Sequence, residues 1–261
     1  MTRTYATNEN PLFQYVLGLG DDALVMAQRW SEWLSKCPSN ELDMAASNFS
    51  LDLFGQADLL LAYAAKLEGK GRSEDDLAFL RDAHEFRNHW LVEQPNDDWG
   101  VTIARMLMFS LYQYSRYEVL QNSKDTQLAD IASKALKELS YHRRFAAEWT
   151  IRLGQGTDES KGRIQRGFDM FWRFVPELFE TTDWEQALAD EGIAASSNSL
   201  EQAWKQELAG ILSDAGLSMP EKNARQFGSR HDGHHSEHLG LMLCEMQFLQ
   251  RAYPTTAGAA W

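Results

Sequence analysis

Four of the seven histidines in this 261-residue chain fall within ten residues, "HDGHHSEHLG" (231–240), beside Asp232 and Glu237. Imidazole and carboxylate are common ligands for zinc and iron, so the first chemistry to test is metal binding. His234 and His238 stand four apart, the spacing that lets two imidazoles on one helix face chelate a single ion. Against that, Gly228 and Gly233 make the segment around His231 a poor helix. The packed helix begins just beyond it, at "LGLMLCEMQFLQ" (239–250). His235, Glu237 and His238 then occupy its first turn, where side chains bond orphan backbone groups or a neighbouring helix. A helix anchor or an interface is the favoured assignment, with a zinc site as the alternative.

The second metal chemistry that helices support is a carboxylate-bridged pair of irons. It needs a Glu from each of two helices and Glu-x-x-His from each of two others. Three residues before His84, His89 and His142 stand Arg81, Phe86 and Leu139; before His231, His234 and His238 stand Gly228, His231 and His235. Only His235 has an acid there, Asp232, and no Glu-x-x-His occurs in the chain. Other chemistries have less support. "GQGTDES" lacks the Gly-Lys-Ser/Thr element of a phosphate loop, and no Gly-x-Ser-x-Gly elbow is present. Cys37 and Cys244 have no basic partner in sequence and read as small buried residues.

The elements that must position these residues are helical. Apolar positions recur at three and four throughout. The pattern predicts helices over about 11–35, 39–67, 73–95, 99–122, 126–153, 159–179 with a bend at Pro176, 184–190, 199–214 and 235–252, the last stopping before Pro254. Residues 218–233 read as a connector. Several helices approach 25 residues with short joints, which means an antiparallel bundle with additional shorter helices. No repeat, linker or composition break divides the chain, so a single domain over 1–261 is expected.

Hydrophobic residues make up 44% and charged residues 24%, an ordinary globular profile. A formal charge of -13 disfavours nucleic acid and anionic lipid as partners. No apolar run approaches the roughly 20 residues of a membrane span. Two cysteines suit a reducing cytoplasm, which is the expected location.

"LDLFGQADLLLAYAAKLEG" (51–69), "KALKELSYHRRFAAEWTIRLGQGTDES" (134–160) and "HSEHLGLMLCEMQFLQRAYP" (235–254), read together, resemble the C subunits of bacterial ring-1,2-phenylacetyl-CoA epoxidases. "GDDALVMAQRWSEW" and "VEQPNDDWGVTIAR" extend the resemblance over nearly the whole chain. The resemblance implies a ferritin-like bundle that has lost the di-iron centre carried by a homologous catalytic A subunit. It implies a non-catalytic structural partner of A, binding no cofactor of its own. A small B subunit and a reductase with flavin and iron–sulfur centres complete the complex, which epoxidises the aromatic ring of phenylacetyl-CoA with oxygen and NADPH. A pseudo-symmetric heterodimer with A is expected, and a homodimer of isolated chains is compatible with it. The alternatives are a metal-binding ferritin-like oxygenase or a zinc module active alone.

On this resemblance, Asp52 and Gly55 stand where a ferritin-like enzyme carries Glu-x-x-His, and Glu138 and His142 lie four apart, one residue off that pattern. These are read as vestigial core positions. If the turn near "NSKDT" makes helices 99–122 and 126–153 antiparallel, Arg105 stands level with Glu138 and His142. Arg105 is therefore expected inside, paired with Asp52 or Glu138, with Gln56 and His142 completing a polar network. Arg105 on a solvated face is the alternative, because spacing does not fix helix rotation.

Overall fold

The computed structural model describes residues 10–221 and 229–253. Within them the fold is all-α and contains no strand. It is consistent with a ferritin-like bundle of long antiparallel helices. The first hairpin is α1 (Pro11–Ser31) with α2 (Asn40–Glu68), and the second is α5 (Trp99–Leu120) with α6 (Thr126–Gly154). The two hairpins meet where α2 packs on α6, and α7 (Asp158–Phe171) lies across α5 and α6.

Local chemistry sets these boundaries. Asn10, Ser39, Asp98 and Asp125 each accept a hydrogen bond from a backbone N–H of the first turn of α1, α2, α5 and α6, and Pro11 occupies the first position of α1. From Phe13 to Ala27 every residue of α1 is buried, as is every residue of α5 from Trp99 to Gln113. These are the central helices, while α2 and α6 keep an outward face. Gly20 lets α1 and α2 approach closely: a Cβ there would stand 2.8 Å from Leu61 Cδ2.

Three expected helices are divided. The span 73–95 forms α3 (Glu74–Phe79), a 3-10 turn at 83–85 and α4 (Trp90–Glu93). The reason is competition for backbone donors. The N–H groups of Arg87, His89 and Trp90 are taken by the carboxylates of Asp21, Asp22 and Glu177, at 2.8, 2.8 and 2.7 Å. Helical i−4 carbonyls therefore have no claim on them. The span 159–179 breaks into α7, a 3-10 turn at 172–174 and α8 (Val175–Leu178), so the break precedes Pro176, which sits in the first turn of α8. After α9 (Asp183–Asp190) and α10 (Ser197–Asp214), the C-terminal span forms α11 (Glu237–Met246) and α12 (Phe248–Ala252). They part at Gln247, whose buried amide donates to the carbonyls of Ala78 and Arg81 at 3.1 and 3.0 Å. The first helix ends at Ser31 rather than near residue 35, and Ser35 has φ of 67°. The expected stop at Pro254, Gly228 and part of the 218–233 connector lie outside the described residues.

Candidate functional site

The inward positions of α2 and α6 form a two-rung polar ladder. His142 Nε2 lies 3.0 Å from Asp52 Oδ2, and Gln56 Nε2 donates to Glu138 Oε2 at 3.0 Å. Asp52 and Gln56 are four apart on α2, as are Glu138 and His142 on α6, so antiparallel packing brings them together as two pairs. Gln113 of α5 adds a 3.4 Å bond to Gln56 Oε1. The imidazole is buried edge-on against Phe49, with ring centroids 4.8 Å apart.

Two expectations are corrected here. Gly55 does not face inward. It lies on the exposed face of α2, and an added Cβ would meet nothing within 4 Å. The inward register of α2 runs through Asp52 and Gln56, a spacing of four, so position 55 is turned away. Arg105 is fully buried, but it pairs with neither Asp52 nor Glu138. Its guanidinium donates to the Gln94 carbonyl and to Asn96 Oδ1. Height and rotation both decide this: Gln113, about 12 Å further along α5 and about 80° around its axis, is the side chain that reaches the ladder. Burial, with Arg29 nearby, pulls the Arg105 guanidinium down to about 9.

The C-terminal histidines separate. His235 bridges Glu93 Oε2, 2.9 Å from Nδ1, and the Phe86 carbonyl, 3.0 Å from Nε2. His234 is exposed, and its backbone carbonyl accepts from Trp90 Nε1 at 2.7 Å. His231 packs edge-on against Trp184, with Nε2 3.5 Å from Glu185 Oε2. Glu237 is exposed in the first turn of α11, and the His238 carbonyl lies 3.4 Å from Arg29 Nη2.

A larger charged network escaped sequence reading. Asp21 pairs with Arg81, and Asp22 holds His89 Nδ1 at 2.9 Å with Arg116 Nη1 3.8 Å away. Glu93 accepts from Asn88 Nδ2 at 3.0 Å and from the Ser236 N–H at 2.6 Å. Glu177 accepts from the N–H groups of Trp90 and Arg230 at 2.7 and 3.0 Å. Glu185 pairs with Arg230 at 2.9 Å. Acidic side chains of α4, α8 and α9 thus clasp the segment 229–236 onto the bundle. Burial depresses His89 to about 4, against the pull of Asp22, so its neutral ring donates Nδ1–H to that carboxylate. Burial would raise Asp22, but His89, Arg230 and Arg116 outweigh it and hold the carboxyl below its ordinary value. Burial lifts Glu177 to about 8, and burial with Arg230 lowers His231 to about 3. The available signal was a pair of acids inside an apolar helix, "GLGDDALVM". Their partners lie more than 50 residues away, which no local pattern reports.

This arrangement does not fit a carboxylate-bridged metal pair. The four inward groups of α2 and α6 include an amide at 56, and they bond one another in pairs. Among the described residues no group of three or more His, Cys, Asp or Glu is placed to hold a metal ion. Nor is any helix there long and apolar enough to cross a membrane. The ladder can instead fix the register of α2 on α6.

Comparison with known proteins gives the chain its context. The family described as phenylacetic acid catabolic protein matches residues 1–261. A curated relative, the C subunit of the 1,2-phenylacetyl-CoA epoxidase of Escherichia coli (strain K12), is 44% identical over 252 residues, covering 97% of this chain and all of the relative. On both matches, this chain belongs to the phenylacetic acid catabolic protein family.

Proposed function

We propose that this protein is the non-catalytic structural subunit of a multicomponent monooxygenase that epoxidises the aromatic ring of phenylacetyl-CoA during aerobic phenylacetate degradation. Its partner is a homologous catalytic A subunit that carries the di-iron centre. A B subunit and a reductase with flavin and iron–sulfur centres, drawing on NADPH, complete the assembly in the cytoplasm. This chain contributes a rigid helical surface and binds no cofactor.

The observation that carries this reading is the Asp52–His142 and Gln56–Glu138 ladder. Carboxylates gathered around metal repel one another unless the cation offsets them. Here the two acids, Asp52 and Glu138, are instead hydrogen-bonded by an imidazole and an amide across the helix interface. The polar groups satisfy one another, so the chain reaches a stable core without an ion. The kinship with the C subunit of an epoxidase supports the assignment to that complex.

The test is co-expression with the catalytic partner, followed by co-purification and metal analysis of each chain. The reading expects a stable heteromer, with this chain purified alone holding under about 0.1 iron or zinc per chain after incubation with either metal. His234→Gln with His238→Gln should leave that figure unchanged. One or two irons per isolated chain would favour an autonomous oxygenase, and one zinc lost with those substitutions would favour the zinc module.

A further inference from the structure

Four of the nine tryptophans meet at Trp99, the first residue of α5. Its ring centroid lies 6.2 Å from Trp30, 5.3 Å from Trp33 and 5.9 Å from Trp149, each pair edge to face. Edge-to-face contact accounts for the packing, but not for an indole at position 99. Trp99 Nε1 is buried, and no described residue accepts from it. Buried indole N–H groups ordinarily find an acceptor, and a phenylalanine would fill the space without stranding a donor. What indole offers and phenyl does not is ready one-electron oxidation.

We infer that Trp30, Trp99 and Trp33 form a relay that carries oxidising equivalents from the core to the surface. Exposure rises along it: Trp30 is 1% exposed, Trp99 is 8% exposed and Trp33 is half-buried. A radical cation is better solvated at each step, so positive charge runs downhill to Trp33. Two side branches are unfavourable. The Arg152 guanidinium lies 4.8 Å over the Trp149 ring and opposes a second positive charge there. Tyr141 is reached only across a phenyl ring, through Phe49 from Trp30 or through Phe145 from Trp149. Phenyl is too hard to oxidise to hold the charge on the way.

A peroxyl radical takes one electron from Trp30 and leaves as a peroxide anion. Trp99 then reduces the Trp30 radical cation, and Trp33 reduces that of Trp99. With no acceptor at Nε1, the Trp99 radical cation keeps its proton and passes the charge on. Trp33 Nε1 donates to Thr102 Oγ1 at 3.1 Å, and its ring is half-buried, so its radical cation loses that proton to water. A soluble thiol returns one hydrogen atom to the neutral Trp33 radical and becomes a thiyl radical. The relay rests on the proposed function only for its oxidant: a chain beside an oxygen-activating centre meets radicals of that class.

Flash photolysis of the purified chain tests this. In a Cys37→Ser, Cys244→Ser, Tyr141→Phe background, Asn48→Cys on the exposed face of α2 carries a tethered ruthenium photosensitiser. It sits beside Phe49, whose ring is 5.0 Å from Trp30. Oxidative quenching makes the sensitiser a one-electron oxidant in place of the peroxyl radical. A tryptophan radical should appear in transient absorption, and mass spectrometry after illumination should find oxidation concentrated at Trp33. Trp99→Phe should slow the appearance of the radical and remove the oxidation at Trp33, with circular dichroism unchanged. Trp33→Phe, at a half-buried position, should shift oxidation back to Trp99 and Trp30, and Trp149→Phe should alter neither pattern. Oxidation of Trp33 that is indifferent to Trp99→Phe overturns the relay, as does oxidation concentrated at Trp149. The sensitiser supplies the oxidant, so this outcome is independent of membership in an epoxidase complex, which co-purification tests separately.

Discussion

His142 of α6 and Asp52 of α2 meet at 3.0 Å across the joint between the two helical hairpins. With Gln56 and Glu138 one turn away, they form a cross-brace between the two hairpins rather than a metal centre. A brace differs from a centre in its energetics: its worth lies in stability, and it can be measured as a coupling.

The double-mutant cycle of Asp52→Asn and His142→Gln, followed by urea unfolding, should give a coupling of about 1 kcal/mol, since Asp52 is partly exposed and the bond is charge-assisted. Coupling indistinguishable from zero would show that the pair is incidental.

Arg105→Met should destabilise the fold by about 1 to 3 kcal/mol. The loss comes from stranding the Gln94 carbonyl and Asn96 Oδ1, both neutral acceptors, rather than an acid. Because these acceptors lie in the loop that leads into α5, hydrogen exchange should rise first at residues 94–102. Protection lost instead around Asp52 and Glu138 would contradict the assignment.

Glu177 sets a pH dependence with a definite sign. Its carboxyl is lifted to about 8 in the fold from an ordinary 4.5. Between those values the folded state holds a proton that the unfolded state has released, so this group costs stability as pH rises from about 4.5 to 8. Glu177→Gln removes that slope, and its stability relative to wild type should improve steadily over the same window. Parallel unfolding free energies from pH 5 to 8 would refute it.

His89 and His231 act on the acid side. Both are lowered from 6.5, to about 4 and about 3. The unfolded chain therefore binds protons first, and the stability these neutral rings support is lost as pH falls from about 6.5 toward 3. Nitrogen NMR should find the His89 ring uncharged at pH 5. An imidazolium there would contradict the buried Asp22–His89 arrangement.

The long amphipathic helices were legible because their periodicity is local, and the starts expected near 39, 99 and 126 are those that Ser39, Asp98 and Asp125 cap in the structure. The 73–95 span was not, because Asp21, Asp22 and Glu177 capture its N–H groups from distant helices. Spacing brought Arg105 inside but not to the ladder: it sits about 12 Å along α5 from Gln113, the residue level with Glu138, and bonds the 94–96 loop instead. The rotation of α2 made Gln56, not Gly55, the inward neighbour of Asp52. The clasp on 229–236 depends on tertiary pairing throughout, and no local pattern reports it.

The most direct measurement is phenylacetyl-CoA epoxidation by the reconstituted complex containing Asp52→Asn, Glu138→Gln and His142→Gln together in this chain. Omitting the chain should abolish turnover. The triple variant, once assembly is verified by co-elution, should turn over within about twofold of wild type, because these groups brace the fold and touch no reacting atom. Loss of turnover by orders of magnitude in an intact complex would contradict a structural role.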